Sequence, residues 1–230
     1  MQSNSRPTSK IIDLTQTLCA EIPSWDGDCG FNLSVSVDYT DCVAPDLFRV
    51  QSISTRAGMG THIDAPAHCI SGAKTVDDLV IENLITSCVT IHLDQFADEN
   101  YVVMPEIVHK FERENGQIEP SSFVIFYTGW SKYWNNPIEY RNGLRFPSLH
   151  EQTAQLLLER HITGLGTDTL SADSKGNSFP VHRVILGAGK YLVENIANAD
   201  ALPATGAQIF VLPMKIRDGT EAPARIVALV

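Results

Sequence analysis

Positive charge is in short supply in this sequence: 17 Lys and Arg stand against 27 Asp and Glu, for a formal net charge of −10. That balance argues against nucleic acid or an anionic membrane as a partner. No apolar run approaches the ~20 residues that a bilayer-spanning helix needs, so no membrane-crossing segment is expected. Residues 1–10 are polar and lack the apolar stretch of a secretory leader; they read as a flexible tail. No Cys-x-x-Cys is present, and the five cysteines (Cys19, Cys29, Cys42, Cys69 and Cys88) are odd in number. A disulfide framework and a cysteine-ligated zinc site are both disfavoured, and reduced thiols in a cytoplasmic protein are the plain expectation. Repeats, low-complexity blocks and linkers are also missing. Residues 11–230 therefore read as one domain, and an apolar content of 43% is enough to fill its core.

What is present begins with strands. Ile11–Leu14, Phe31–Asp38, Val50–Thr55 and Cys88–Leu93 carry strand-like patterns, with strict period-two alternation in Phe31–Asp38. Phe123–Tyr127 is continuously apolar, as a strand buried on both faces would be. Ile162–Thr167, Gln208–Leu212 and Arg225–Val230 are further strands. Helical signals lie between them. Thr75–Asp78 has a loose capping-box form, and Pro105–Glu114 carries Ile107, Val108 and Phe111 at helical spacing. Ser148-Leu149-His150-Glu151 is a second capping box, predicting a helix that ends near Arg160 and His161. The mixture is α/β or α+β.

The stretch Gly60-Thr61-His62-Ile63-Asp64-Ala65-Pro66-Ala67-His68 is the richest in chemistry. In an extended segment, residues at even intervals share a face, so His62, Asp64 and His68 point one way while Ile63, Ala65 and Ala67 point the other. A polar trio of this kind suits a metal site or a general base. A Cys69–His68 nucleophile pair is disfavoured, because neighbours in a strand face opposite sides. Far downstream come Gly166-Thr167-Asp168, Phe179-Pro180-Val181-His182 and the isolated acid Glu194. Imidazole and carboxylate are ligands that zinc or manganese accepts, so His62, Asp64, His182 and Glu194 are candidates to assemble a site, with His68 left to move protons. Each also has an ordinary reading: Asp64 and Asp168 as turn caps, Pro66 as the end of a strand, each histidine as a satisfied polar residue.

Gly58-Met59-Gly60-Thr61-His62-Ile63-Asp64-Ala65-Pro66-Ala67-His68 resembles the His-x-Gly-Thr-His-x-Asp-x-Pro-x-His motif of the putative cyclase family, metal-dependent hydrolases that include bacterial kynurenine formamidase and isatin hydrolase. The resemblance extends from Ile12-Asp13-Leu14-Thr15 and Ile22-Pro23-Ser24-Trp25 through Thr128-Gly129-Trp130 to Glu194-Asn195 and Val211-Leu212-Pro213. It implies a swivelling β/β/α domain, with mixed sheets around a barrel-like centre and helices outside. It implies metal ligation by His62, Asp64, His182 and Glu194, acid–base catalysis by His68, and a substrate contact through Trp25. The implied activity is that of an arylformamidase-like amidohydrolase of tryptophan catabolism, which uses water activated by zinc or manganese. The alternatives are a cyclic-amide or lactone hydrolase resembling isatin hydrolase, and a non-catalytic small-ligand-binding member. A homodimer or tetramer acting on a small molecule is expected. Two positions depart from the family pattern. Gln16 stands where a histidine is common, and Gly58 stands where the motif's first histidine is a metal ligand. One tightly held ion and a weak second site are therefore expected.

Overall fold

The computed structural model describes residues 10–176 and 178–230. Most of the expected tail lies outside the described residues; Lys10, its last residue, exchanges two backbone hydrogen bonds with Val230 at 2.8 and 2.9 Å.

Among the described residues, twelve strands and four α-helices form. The strands are β1 (Ile11–Asp13), β2 (Phe31–Val37), β3 (Val50–Thr55), β4 (His62–Asp64), β5 (Ile85–His92), β6 (Val102–Val103), β7 (Phe123–Tyr127), β8 (Ser148–Leu149), β9 (Gly164–Thr167), β10 (Tyr191–Glu194), β11 (Ala207–Pro213) and β12 (Glu221–Leu229). The helices are α1 (Pro105–Asn115), α2 (Pro137–Arg141), α3 (Glu151–Glu159) and α4 (Pro180–Gly187). The main sheet runs β1-β12-β11-β5-β7-β9-β10-β4, and β4 also pairs with β12. That last pairing closes seven strands into a mixed barrel. The steps from β5 through β7 and β9 to β10 are parallel, and the other pairings of this sheet are antiparallel.

Closure sorts the apolar residues into two cores. Ile63, Phe123, Ile125, Val193, Ile209, Val211, Ala222 and Ile226 come from strands around the ring and pack on one another inside the barrel. Val89, Ile91, Val124, Phe126, Leu165 and Leu192 point outward and are covered by Val108 and Phe111 of α1, Ala154 and Leu157 of α3, and Val181 and Ile185 of α4. Strand β7 feeds both cores, which is why its sequence is apolar without alternation. No helix among the described residues is long and apolar enough to cross a membrane.

Three local expectations are corrected. Ser148 does not cap α3: Ser148 and Leu149 pair with β6, and His150 takes the N-cap, its ring Nδ1 accepting the Gln152 N–H at 3.2 Å. The segment from His62 to His68 is not one strand. It is extended only through Asp64, after which Pro66 starts a 3-10 turn, Pro66–His68. Strand β12 begins at Glu221, four residues before the expected Arg225.

Candidate metal centre

Strand β4 carries the site. His62 and Asp64 point to the outer face of the barrel while Ile63 between them is fully buried in the inner core. Register then brings in a third group. Strand β10 is antiparallel to β4 with Glu194 directly opposite His62, and directly opposed residues present their side chains on the same face. His182 arrives from the first turn of α4. All four side chains are buried.

Their spacing is that of a shared centre. Asp64 Oδ1 lies 3.5 Å from His62 Nε2, and Asp64 Oδ2 lies 3.5 Å from His182 Nε2. Glu194 repeats the pattern, with Oε2 at 3.5 Å from His62 Nε2 and Oε1 at 3.3 Å from His182 Nε2. Each carboxylate thus spans both imidazoles. These separations are long for hydrogen bonds, and Asp64 Oδ1 is buried with no hydrogen-bond partner. A buried carboxylate oxygen without a donor is costly unless a cation satisfies it. His62, Asp64 and Glu194 lie close enough to hold one ion, and so do Asp64, His182 and His68. The residues present fit a divalent metal.

Backbone and side-chain groups outside the cluster aim the ligand atoms. His62 Nδ1 lies 2.9 Å from the Gly60 carbonyl, which turns Nε2 toward the carboxylates. Gly60 has φ +65°, and a Cβ there would fall 2.5 Å from Leu18 Cδ2, so both backbone and space call for glycine. Asp173 does the same for His182 through a 2.7 Å contact to Nδ1, and it also accepts the backbone N–H groups of Val181 and His182 at the start of α4. The Ala172 N–H donates to Glu194 Oε1 at 3.2 Å.

The electrostatics agree. Burial pushes the His62 pKa down, but Asp64 and Glu194 outweigh it and the net shift is upward. His182 is raised well above the ordinary imidazole value against the same burial, by Asp173, Asp64 and Glu194. Asp64 is raised by burial and lowered by His182 and His62, and the lowering wins. The carboxylates around both imidazoles thus favour positive charge in the pocket, which a bound cation would supply in place of protons.

His68 stands at the rim, a third exposed, its Nδ1 3.4 Å from Glu221 Oε2, an interaction that raises its pKa. It reaches the site through the 3-10 turn, not by strand alternation. Cys69 next to it is exposed, and desolvation raises its thiol pKa, which disfavours the thiolate. Asp168 takes its ordinary role. Its Oδ1 accepts from the Thr128 N–H and hydroxyl at 2.8 and 2.7 Å, and its Oδ2 accepts from the Ser131 N–H at 3.1 Å, outside the cluster. Trp25 lines the cleft, and its ring centroid is 5.5 Å from that of Phe179, which in turn packs edge-on against His182 at 5.6 Å. The cleft has a volume of about 320 Å³. Gln16 lies elsewhere, its N–H donating to Thr61 Oγ1.

Asp173, Phe179 and Glu221 were not among the sequence candidates. Glu221 had a signal: Ala222, Ala224, Ile226 and Ala228 alternate with period two, which extends β12 back to this acid. Asp173 had none, since its partner is nine residues away across a turn.

The barrel with a histidine–carboxylate centre on its outer face defines a class of metal-dependent hydrolases. The family described as "Putative cyclase" matches residues 12–174, and the chain belongs to it. It is 30% identical over 186 residues to isatin hydrolase of Roseibium aggregatum, covering 74% of this chain and 71% of that protein. It is 28% identical over 222 residues to kynurenine formamidase of Bacillus cereus, covering 96% and 97%. The solved structure of isatin hydrolase A from Labrenzia aggregata bound to benzyl benzoate superposes with a TM-score of 0.87 at 30% identity, covering 96% of this chain and 94% of that one. These matches, with the site geometry, support a metal-dependent hydrolase of the cyclase family.

Proposed function

We propose that this chain hydrolyses the carbonyl–nitrogen bond of a small aryl formamide or amide, using a divalent metal held by His62, Asp64, His182 and Glu194. The observation that carries this reading is the placement of two buried carboxylates that each span the same two imidazole Nε2 atoms. A divalent ion bound there would supply Lewis-acid polarisation of the carbonyl and a lowered pKa for water. The chain's own residues do the rest. Trp25 and Phe179 form an aromatic wall that orients a flat substrate. His68, at the rim and linked to Glu221, takes a proton from the attacking water and returns it to the leaving nitrogen. Such acid–base help contributes roughly 10²–10⁴-fold.

Opening of a cyclic aryl amide is the second reading, favoured by the isatin hydrolase likeness over 96% of the chain. Turnover of N-formylkynurenine and of isatin by zinc- or manganese-loaded protein separates the two. His62→Ala should abolish either activity together with metal content. Metal binding without hydrolysis of either compound would support a non-catalytic binding protein, and an unchanged metal content in His62→Ala would overturn the ligand assignment.

A further inference from the structure

The β4 strand has an acid on each side. Glu194 of β10 lies opposite His62, and Glu221 of β12 lies opposite Asp64, so both carboxylates stand on the face that carries the site. The start of β12 is anchored there by the Ala65 N–H donating to the Thr220 carbonyl at 2.9 Å and the Val76 N–H donating to the Gly219 carbonyl at 2.7 Å. Glu221 lines the cleft with its side chain a quarter exposed, and its Oε2 faces His68.

Gly58 shows where the other oxygen sits. A Cβ built on Gly58 would fall 2.3 Å from Glu221 Oε1 and 3.4 Å from His62 Nε2. The Glu221 carboxylate and the His62 imidazole therefore converge on the space that a side chain at position 58 would occupy. Gly58 does not have a left-handed φ, so its backbone does not demand glycine; what fills the space beside it is the carboxylate end of Glu221. The same side of the site holds Asp64 Oδ1, fully buried and without a hydrogen-bond partner.

We propose that Glu221 is a metal ligand on the His62 side of the centre, replacing the histidine that Gly58 lacks, so that the chain holds two divalent ions. Glu221 stands outside the tight group of His62, Asp64 and Glu194, so this role requires its side chain to turn from His68 toward them. The assignment rests on the metal-dependent reading above. A carboxylate in place of an imidazole makes this half of the site richer in oxygen, which suits manganese.

The test titrates Mn²⁺ into metal-free wild-type protein and into Glu221→Gln, Gly58→His and the double variant Gly58→His/Glu221→Ala, by calorimetry and by metal count after dialysis. Circular dichroism checks that each variant is folded. The wild type should bind two ions. Glu221→Gln should keep one and weaken the other roughly tenfold or more, at least the loss seen for groups that merely support a ligand. Gly58→His alone should tighten binding less than the double variant does, because its side chain competes with Glu221 for the same space. The double variant should recover the second ion, since it vacates the space and fills it with imidazole. Two ions with unchanged affinity in Glu221→Gln would overturn the role of Glu221, as would a single ion in the wild type that this substitution leaves unchanged. No ion in the wild type would overturn the metal-dependent reading itself, and this assignment with it.

Discussion

Asp173 Oδ2 lies 2.7 Å from His182 Nδ1 and also accepts the His182 backbone N–H at 3.0 Å. One carboxylate thereby fixes both the ring and the helix that carries it. An Nδ1 proton held by Asp173 leaves the Nε2 lone pair for a metal, the tautomer that ligation needs. Asp173→Asn should lower metal affinity about 10–100-fold while the chain stays folded. Calorimetric titration of the variant, beside its melting curve, checks this. Unchanged affinity with a lowered Tm would make Asp173 a helix cap only.

His68 differs from the buried ligands in being a third exposed, with its Nδ1 3.4 Å from Glu221 Oε2. His68→Ala should retain bound metal and lose roughly 10²-fold or more in kcat. Metal count and turnover measured on the same preparation decide it. Because His68 also lies within reach of Asp64 and His182, loss of metal would reassign it as a ligand.

Trp25 presents its ring to the cleft beside Phe179. Trp25→Ala should raise KM for an aromatic substrate by about tenfold, with a smaller effect on kcat. A lowered Tm at constant KM would place the indole among the packing residues, with the buried cluster of Ile22, Met59, Trp130 and Tyr140 that it packs against.

Away from the site, Arg160 makes a two-pronged bond to Glu112, Nε to Oε1 at 2.7 Å and Nη2 to Oε2 at 3.1 Å, tying the end of α3 to α1. The Arg160 hydrogen bond holds the Glu112 pKa below its ordinary value. A carboxylate whose pKa is lowered on folding contributes stability above its unfolded pKa and loses it as pH falls through the folded one. Glu112→Gln should cost about 1 kcal/mol at neutral pH, and the difference from wild type should vanish in acid, below both pKa values. Denaturant melts at several pH values measure it; a constant difference across the range would mean that packing, not charge, is lost.

The strands β2, β3 and β7 and the helix α1 were legible because their patterns are local: alternation in Phe31–Val37, a continuous apolar run in Phe123–Tyr127, and helical spacing in Pro105–Asn115. Ser148 misled because its capping-box pattern competes with a pairing to Val102, 46 positions earlier, and that tertiary pairing prevailed. His62 and Asp64 could be placed on one face from the sequence, since two residues in an extended chain always share a side. His68 could not, because Pro66 replaces the strand with a turn that happens to lead back to the same cleft.

The sequence by itself determined the chemistry on offer: imidazoles and carboxylates, an aromatic residue near the N-terminus, a glycine where the family motif has a ligand, and an excess of negative charge. Tertiary structure decided how those groups meet. Glu194 faces His62 and Glu221 faces Asp64 only because the closing of the barrel sets the register of three strands drawn from distant parts of the chain. Asp173 reaches His182 only because α4 folds back over the loop that precedes it. Such contacts depend on hydrogen-bond register and packing summed over the whole sheet, and no window of neighbouring residues contains that information.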